Sequence, residues 1–300
     1  MKPAVSLVAV PGRRRATLDL AQRLEQEGFT GIHCPSPGDG LALCHSLALV
    51  TREIPLGTSI AHLYTRHPLE YAQAAAIVHE LSGGRFRFGI GVSHGPAHER
   101  LGITPGKPLG DVRKFVADLH GYAKQIGGLP PITLATLRQR MVALAGEIAQ
   151  GAVWANAARS HMPASLAHLP PAARADASFF VGDMIPTCID PDRAAAAHVM
   201  RKTLTSFVKL PNYQKYWIEA GYEAEMRAIR EAIAAGDDAA VQRAMSDTWL
   251  SDVTLFGPAS HVRDGVEAWR AAGVKTVILV PSSTRGGQMV AFEELISAFR

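Results

Sequence analysis

Short apolar runs alternate with stretches of helical period along most of the chain. Ala4–Val10 is a compact run rich in valine and leucine, the pattern of a strand buried on both faces. Leu20 and Leu24 give Thr17–Glu27 a helical stripe, and Gly28 follows as a stop signal. The same alternation returns as a strand at Phe29–Cys34, a helix at Leu41–Val50 and a strand at Pro55–Ala61. His67-Pro68 opens a strong helix, because proline suits a first turn that needs no backbone donor. Its Tyr71, Ala74, Ala75, Val78 and Leu81 recur at three- and four-residue steps, and Ser82-Gly83-Gly84 ends it. Arg85–Val92 then reads as a strand with Phe86, Phe88 and Ile90 on one face.

The second half continues with a helix at Asp111–Ile126, a strand at Pro131–Ala135, a helix at Gln139–Ala149 and a strand at Gly151–Asn156. A weaker helix over Pro163–Ala177 is interrupted by Pro170-Pro171, a strand follows at Phe179–Cys188, and Asp190-Pro191 begins another helix. Leu210–Phe256 reads as helices only, before a helix at Val262–Ala272, a strand at Lys275–Val280 and a helix at Phe292–Phe299. Eight strands, each followed by a helix, predict parallel strands with right-handed crossovers. At 300 residues this pattern predicts an α/β protein, a single-domain (β/α)8 TIM barrel over 1–300 with a helical insertion at 210–256 before the eighth strand. A doubly wound open sheet is the rival architecture.

A charged fraction of 19% beside 47% hydrophobic residues excludes a disordered chain. The net charge of +4 is mild, and the one tight basic cluster, Arg13-Arg14-Arg15, reads as a solvated loop or a small anion-binding patch, so no nucleic-acid partner is expected. Cys34, Cys44 and Cys188 are odd in number and form no C-x-x-C, which fits a reducing cytoplasm rather than a disulfide framework or thiolate zinc site. The amino-terminal order of charge and apolar residues does not match a signal peptide. No apolar run approaches the roughly 18 residues of a membrane helix.

In such barrels the chemistry gathers at the C-terminal ends of the strands. Those ends carry Pro11–Arg13, His33–Pro37, Ser59–His62, Gly91–Gly95, Ala135–Arg138, Asn156, Ile185–Thr187 and Pro281–Thr284. Gly89 and Gly91 either admit a bulky neighbour inside the barrel or let backbone approach a ring. His94 and His98 have metal-like spacing, but Pro96 lies between them and no H-E-x-x-H glutamate is present, so no metal is expected. His33, His62 and His67 read as structural imidazoles or as site residues. Arg138, at a helix start, reads as an exposed first-turn residue or a phosphate partner. No G-x-S-x-G elbow, Walker loop or facing carboxylate pair supports a hydrolase.

L-S-G-G-R-F-R-F-G-I-G at 81–91 resembles the luciferase-like oxidoreductases, whose hallmark is L-S-x-G-R before a G-x-G strand. I-P-L-G-T-S-I at 54–60 with Y-T-R-H-P at 64–68, and M-V-A-L-A-G-E-I-A-Q-G-A-V-W-A-N at 141–156, are similar to further segments of that family. So are K-L-P-N-Y at 209–213, G-P-A-S-H-V-R-D-G-V at 257–266 and K-T-V-I-L-V-P at 275–281. The likeness runs in order over nearly the whole chain. It implies a (β/α)8 barrel, commonly a homodimer, acting on a small-molecule substrate with reduced FMN or the deazaflavin coenzyme F420. G-V-S-H at 91–94 and L-P-N-Y at 210–213 resemble the deazaflavin branch, where a cis peptide often bulges the third strand; Ser59-Ile60 is the matching step.

The resemblance implies hydride transfer between coenzyme F420 and a small organic substrate, since the cofactor carries the chemistry and the protein positions it. His94 or His62 is the expected proton donor. His33, Ser59, Ile60, Gly91, Val92, Ser93, Ala135, Thr136 and Arg138 are the expected cofactor contacts, with Arg138 and Arg13 toward the anionic tail. Many relatives carry Gly-Pro where this chain has Thr136-Leu137-Arg138, and the compact segment between the fourth and fifth strands predicts a small lid or none. An FMN-dependent luciferase-like monooxygenase and a non-catalytic cofactor-binding barrel are the alternatives.

Overall fold

A computed structural model describes residues 1–300. Its strands are β1 (Ala4–Ser6), β2 (Ile32–Cys34), β3 (Leu56–Thr58), β4 (Ala61–His62), β5 (Phe86–Gly91), β6 (Ile132–Ala135), β7 (Gly151–Ala155), β8 (Phe180–Ile189), β9 (Leu255–Gly257) and β10 (Thr276–Ser282). The sheet closes as an eight-stranded parallel barrel surrounded by helices, the (β/α)8 fold, with β4 continuing β3 and β9 an additional short strand beside β8. The open-sheet alternative is thereby excluded. The chain forms two compact units, residues 1–154 with 166–182, and residues 155–165 with 183–300.

The first unit carries β1 to β6, β7 as far as Trp154, and the helices α1 (Arg14–Gln26), α2 (Gly40–Val50), α3 (Pro68–Leu81), α4 (Gly95–Leu101), α5 (Pro108–Tyr122) and α6 (Gln139–Ile148). Alternation along β5 sorts its side chains. Phe86, Phe88 and Ile90 face the helices, with Phe88 5.5 Å from the Tyr71 ring of α3. Arg87, Gly89 and Gly91 take the opposite face, toward the barrel interior. There the Arg87 guanidinium lies 5.1 Å above the Phe180 ring.

The L-S-G-G-R segment is a structural clamp. Gly83 and Gly84 adopt φ 62° and 85°, values that L side chains rarely take. Arg85 then donates from Nε to Ser82 O at 2.7 Å, and its guanidinium to Ile54 O at 2.6 Å and Thr51 O at 3.0 Å. On the other side of segment 51–54, Glu25 Oε1 accepts the amides of Arg52, Glu53 and Ile54 at 2.9, 2.7 and 2.9 Å. These bonds fix the turn that launches β3.

Local expectations change at several points. The strand expected over Ala4–Val10 ends at Ser6, because its partner β2 ends at Cys34 and Pro35 offers no amide to continue a ladder. The helix α4 stands where no helix was predicted; its seven residues are too few to show a periodicity. The weak helix over 163–177 is two helices, Met162–Ala167 and Pro171–Ala175, divided at the prolines.

In the second unit, helices fill Arg193–Leu204, Pro211–Glu219, Glu223–Ala234, Asp238–Arg243 and Asp247–Val253. The all-helical expectation for 210–256 holds up to Val253; Leu255–Gly257 is a strand, paired in parallel with Thr187–Ile189. Three residues are too short to register against the helical pattern. Trp217 and Trp249 pack edge to face at 4.9 Å, and Trp217 Nε1 donates to Asn156 O at 3.2 Å. Tyr213 of the L-P-N-Y segment is buried 5.3 Å from Trp217, so this segment builds core. No helix of the chain is long and apolar enough to cross a membrane.

Candidate active site

At the C-terminal end of the first unit's strands, the β3–β4 junction sets the geometry. Thr58 Oγ1 donates to Gly89 O at 2.6 Å and accepts from Gly89 N at 2.9 Å, locking β3 to β5. The next peptide, Ser59–Ile60, is cis, at the step the resemblance indicated. Ser59 N donates to Cys34 O at 2.9 Å, and its hydroxyl lies 3.3 Å from His33 Nδ1.

Here the two glycines of G-x-G have steric causes. A Cβ on Gly89 would lie 1.9 Å from Thr58 O. One on Gly91 would lie 2.7 Å from Ala135 Cβ and 3.0 Å from Ile60 Cγ1. The packing reading of these glycines is therefore the one the structure supports. Ile60, Gly91 and Ala135 are brought together as a small apolar shelf.

His33 sits below the shelf, 5% exposed and 5.6 Å from the Phe180 ring. Burial, and then the charge on Arg87, push its imidazole from 6.5 down to about 4, so it is neutral at pH 7. The unfolded chain takes up this proton more readily than the folded one. Stability from this group is therefore complete above about pH 6.5 and is lost as the pH falls toward about 4. The expected loss across that window is about 3 kcal/mol. Urea unfolding between pH 7 and pH 4 should show it, and His33→Gln should flatten the profile.

β4 pairs with β5 so that His62 lies opposite Gly91, which puts both on the interior side. His62 is 5% exposed. Its Nδ1 accepts the Tyr64 amide at 3.3 Å, which leaves the ring proton of the neutral imidazole on Nε2. That Nε2 is buried and has no hydrogen-bond partner in the protein. The rings of His62, Tyr64 and His98 meet edge to face, 5.4–5.6 Å apart. Burial, then the neighbouring His98, hold His62 below the usual imidazole value; burial, His98 and His62 do the same for His94. Both are neutral donors at pH 7.

The remaining expected residues are placed as follows. Val92 O accepts His98 Nε2 at 2.6 Å. Ser93 holds φ 61°, and His94 is the extended residue that caps α4. The Thr136 hydroxyl is buried and turned to Val153 O, whereas Arg138 is exposed at the start of α6. The exposed arginines 13–15 open α1, a helix without acidic residues in its first turn. His98, noted in the sequence only for its spacing from His94, spends its Nε2 on Val92 O, and no group of three or more His, Cys, Asp or Glu side chains is arranged to hold a metal. Sequence reasoning missed Tyr64 and Asp111, whose side chains join at 2.5 Å across 47 positions with no local signal.

A closed parallel barrel with a small apolar shelf and an unpartnered buried imidazole at its strand ends has the layout of a barrel enzyme's ligand site. A profile of the luciferase-like monooxygenase family matches residues 3–276, and the chain belongs to that family. It is 26% identical over 264 residues to a 5,10-methylenetetrahydromethanopterin reductase of Archaeoglobus fulgidus, covering 77% of this chain and 78% of the relative. The coenzyme F420 dependent tetrahydromethanopterin reductase from Methanopyrus kandleri has the same fold, with TM-score 0.76 and 18% identity over 99% of this chain and 98% of the other. So does an F420-dependent secondary alcohol dehydrogenase solved with an F420–acetone adduct, with TM-score 0.72 and 17% identity over 100% of both chains. Similar proteins use F420 or FMN and act on small molecules. The chain is a luciferase-like oxidoreductase, which sets aside the non-catalytic alternative.

Proposed function

We propose that this enzyme transfers a hydride between deazaflavin coenzyme F420 and a small organic substrate. The observation that carries the reading is the buried, unpartnered His62 Nε2–H on the strand that pairs with Gly91. A buried donor without an acceptor is costly, about 1–3 kcal/mol, and a ligand acceptor relieves that cost. The residues also fit a flat ring: Ile60 and Ala135 give it apolar surface beside Gly91, and the backbone of Val92 and Ser93 borders its edge. A deazaflavin bound there supplies the hydride donor or acceptor.

The protein's part divides by position. His33 lies 3.3 Å from the Ser59 hydroxyl and supports the bulge from the interior side of β2. His62 donates to the atom on which negative charge develops, where a fixed donor is most effective. His94, at the mouth beside α4, is the candidate for moving a proton. Arg138 and the N-terminus of α6 are the candidates for holding an anionic tail. Arg138 here takes the place of the Gly-Pro of many relatives. Titration of the purified protein with each cofactor, followed by fluorescence, tests the reading. Submicromolar binding of deazaflavin, at least tenfold tighter than FMN, is expected. Tight FMN binding without deazaflavin binding would sink it in favour of the monooxygenase.

A further inference from the structure

Tyr64 is bound to His62 in two ways. Its amide donates to His62 Nδ1 at 3.3 Å, and its ring packs edge-on against the imidazole at 5.6 Å. The same ring packs against His98 at 5.5 Å. Its hydroxyl donates to Asp111 Oδ2 at 2.5 Å, and Asp111 belongs to α5, outside the strand-end loop that holds both His62 and Tyr64. Burial and the Asp111 carboxylate push the phenol well above its usual value, so Tyr64 remains a donor at every working pH. It is not a proton source; its chemistry is spent on Asp111.

We infer that Asp111, acting through Tyr64, is the positioning residue that fixes His62 in its Nε2–H tautomer and aims that proton at the ligand. An imidazole whose Nδ1 accepts a hydrogen bond is biased to carry its proton on Nε2. Holding a donor within a few tenths of an ångström depends on the shell behind it. Here that shell is a hydrogen bond from α5 to a tyrosine whose own amide sets the tautomer. Asp111 lies in the first turn of α5, beside Gly106 of the preceding loop. The Asp111 carboxylate is thereby fixed to the helix, and its bond to the Tyr64 hydroxyl ties Tyr64 to α5. The catalytic side of this inference rests on the proposed function; its structural side does not.

Ring 15N NMR of the full-length protein without cofactor tests the structural side, with the His62 signals identified by their loss in His62→Gln. The groups facing His62 are Tyr64 from its own loop, His94 and His98 from the α4 side, Asp111 behind Tyr64, and Tyr71 of α3, whose hydroxyl donates to His62 O at 2.9 Å. The wild type should show one neutral tautomer with the proton on Nε2 from pH 7 to pH 8. Tyr64→Phe, which removes only the hydroxyl, and Asp111→Ala should both show a mixture of the two tautomers. Asp111→Asn keeps an acceptor oxygen and should restore the single form. An unchanged His62 tautomer in Tyr64→Phe and Asp111→Ala would overturn the inference. On a turned-over substrate, the two disrupting variants should lose about tenfold in kcat with KM within twofold. A tautomer change without that loss would leave the positioning intact and count against His62 as the site's donor.

Discussion

The Gly89→Ala variant is expected to lose about 4 kcal/mol or more of folding stability, measured as a fall in urea midpoint. The added methyl would sit 1.9 Å from the Thr58 carbonyl oxygen, well inside any tolerated contact, and the obstacle is backbone rather than a movable side chain. β3 and β5 cannot part locally to admit it, because Thr58 Oγ1 bonds both the amide and the carbonyl of Gly89. Two neighbours provide the scale. Gly91→Ala meets Ala135 Cβ at 2.7 Å and Ile60 Cγ1 at 3.0 Å, atoms that can shift, and should cost about 1–3 kcal/mol. Gly95→Ala meets nothing within 4 Å and should stay within about 0.5 kcal/mol of wild type. A Gly89→Ala protein as stable as Gly95→Ala would contradict the steric account of the G-x-G strand.

That strand shows what the sequence makes legible. Phe86, Phe88 and Ile90 read as one buried face because alternation is a local signal, and the barrel follows from repeating such units. The short strand Leu255–Gly257 and the helix α4 escaped because neither is long enough to express a period. The L-S-G-G-R segment identifies the family while its arginine clamps the turn before β3, remote from the shelf. Strand-end position brought Ile60, Gly91, Ala135 and His62 into view. It also named His33, whose ring lies against the Ser59 hydroxyl and whose depression to about 4 depends on burial and Arg87, neither of which position along a strand can give. Tyr64 and Asp111 were invisible because their meeting depends on how α5 packs, a tertiary fact with no footprint at either residue.

His62→Phe carries the largest expected effect on function. Phenylalanine keeps the ring that packs against Tyr64 and His98 and removes the Nε2–H, so the fold should lose no more than about 1 kcal/mol, the worth of the 3.3 Å bond from the Tyr64 amide. Removing one preorganised donor from a site of this kind lowers kcat by about 10²–10³. Affinity for the deazaflavin should change less than threefold, because the donor serves the reacting atom rather than the tail. The decisive measurement is turnover by wild type and His62→Phe, each loaded with coenzyme F420, over a panel of small alcohols and carbonyl compounds. The account predicts hydride transfer by the wild type on at least one member, reduced by about two to three orders of magnitude in the variant. Equal turnover by the two proteins, or turnover that requires FMN and oxygen instead, would contradict it.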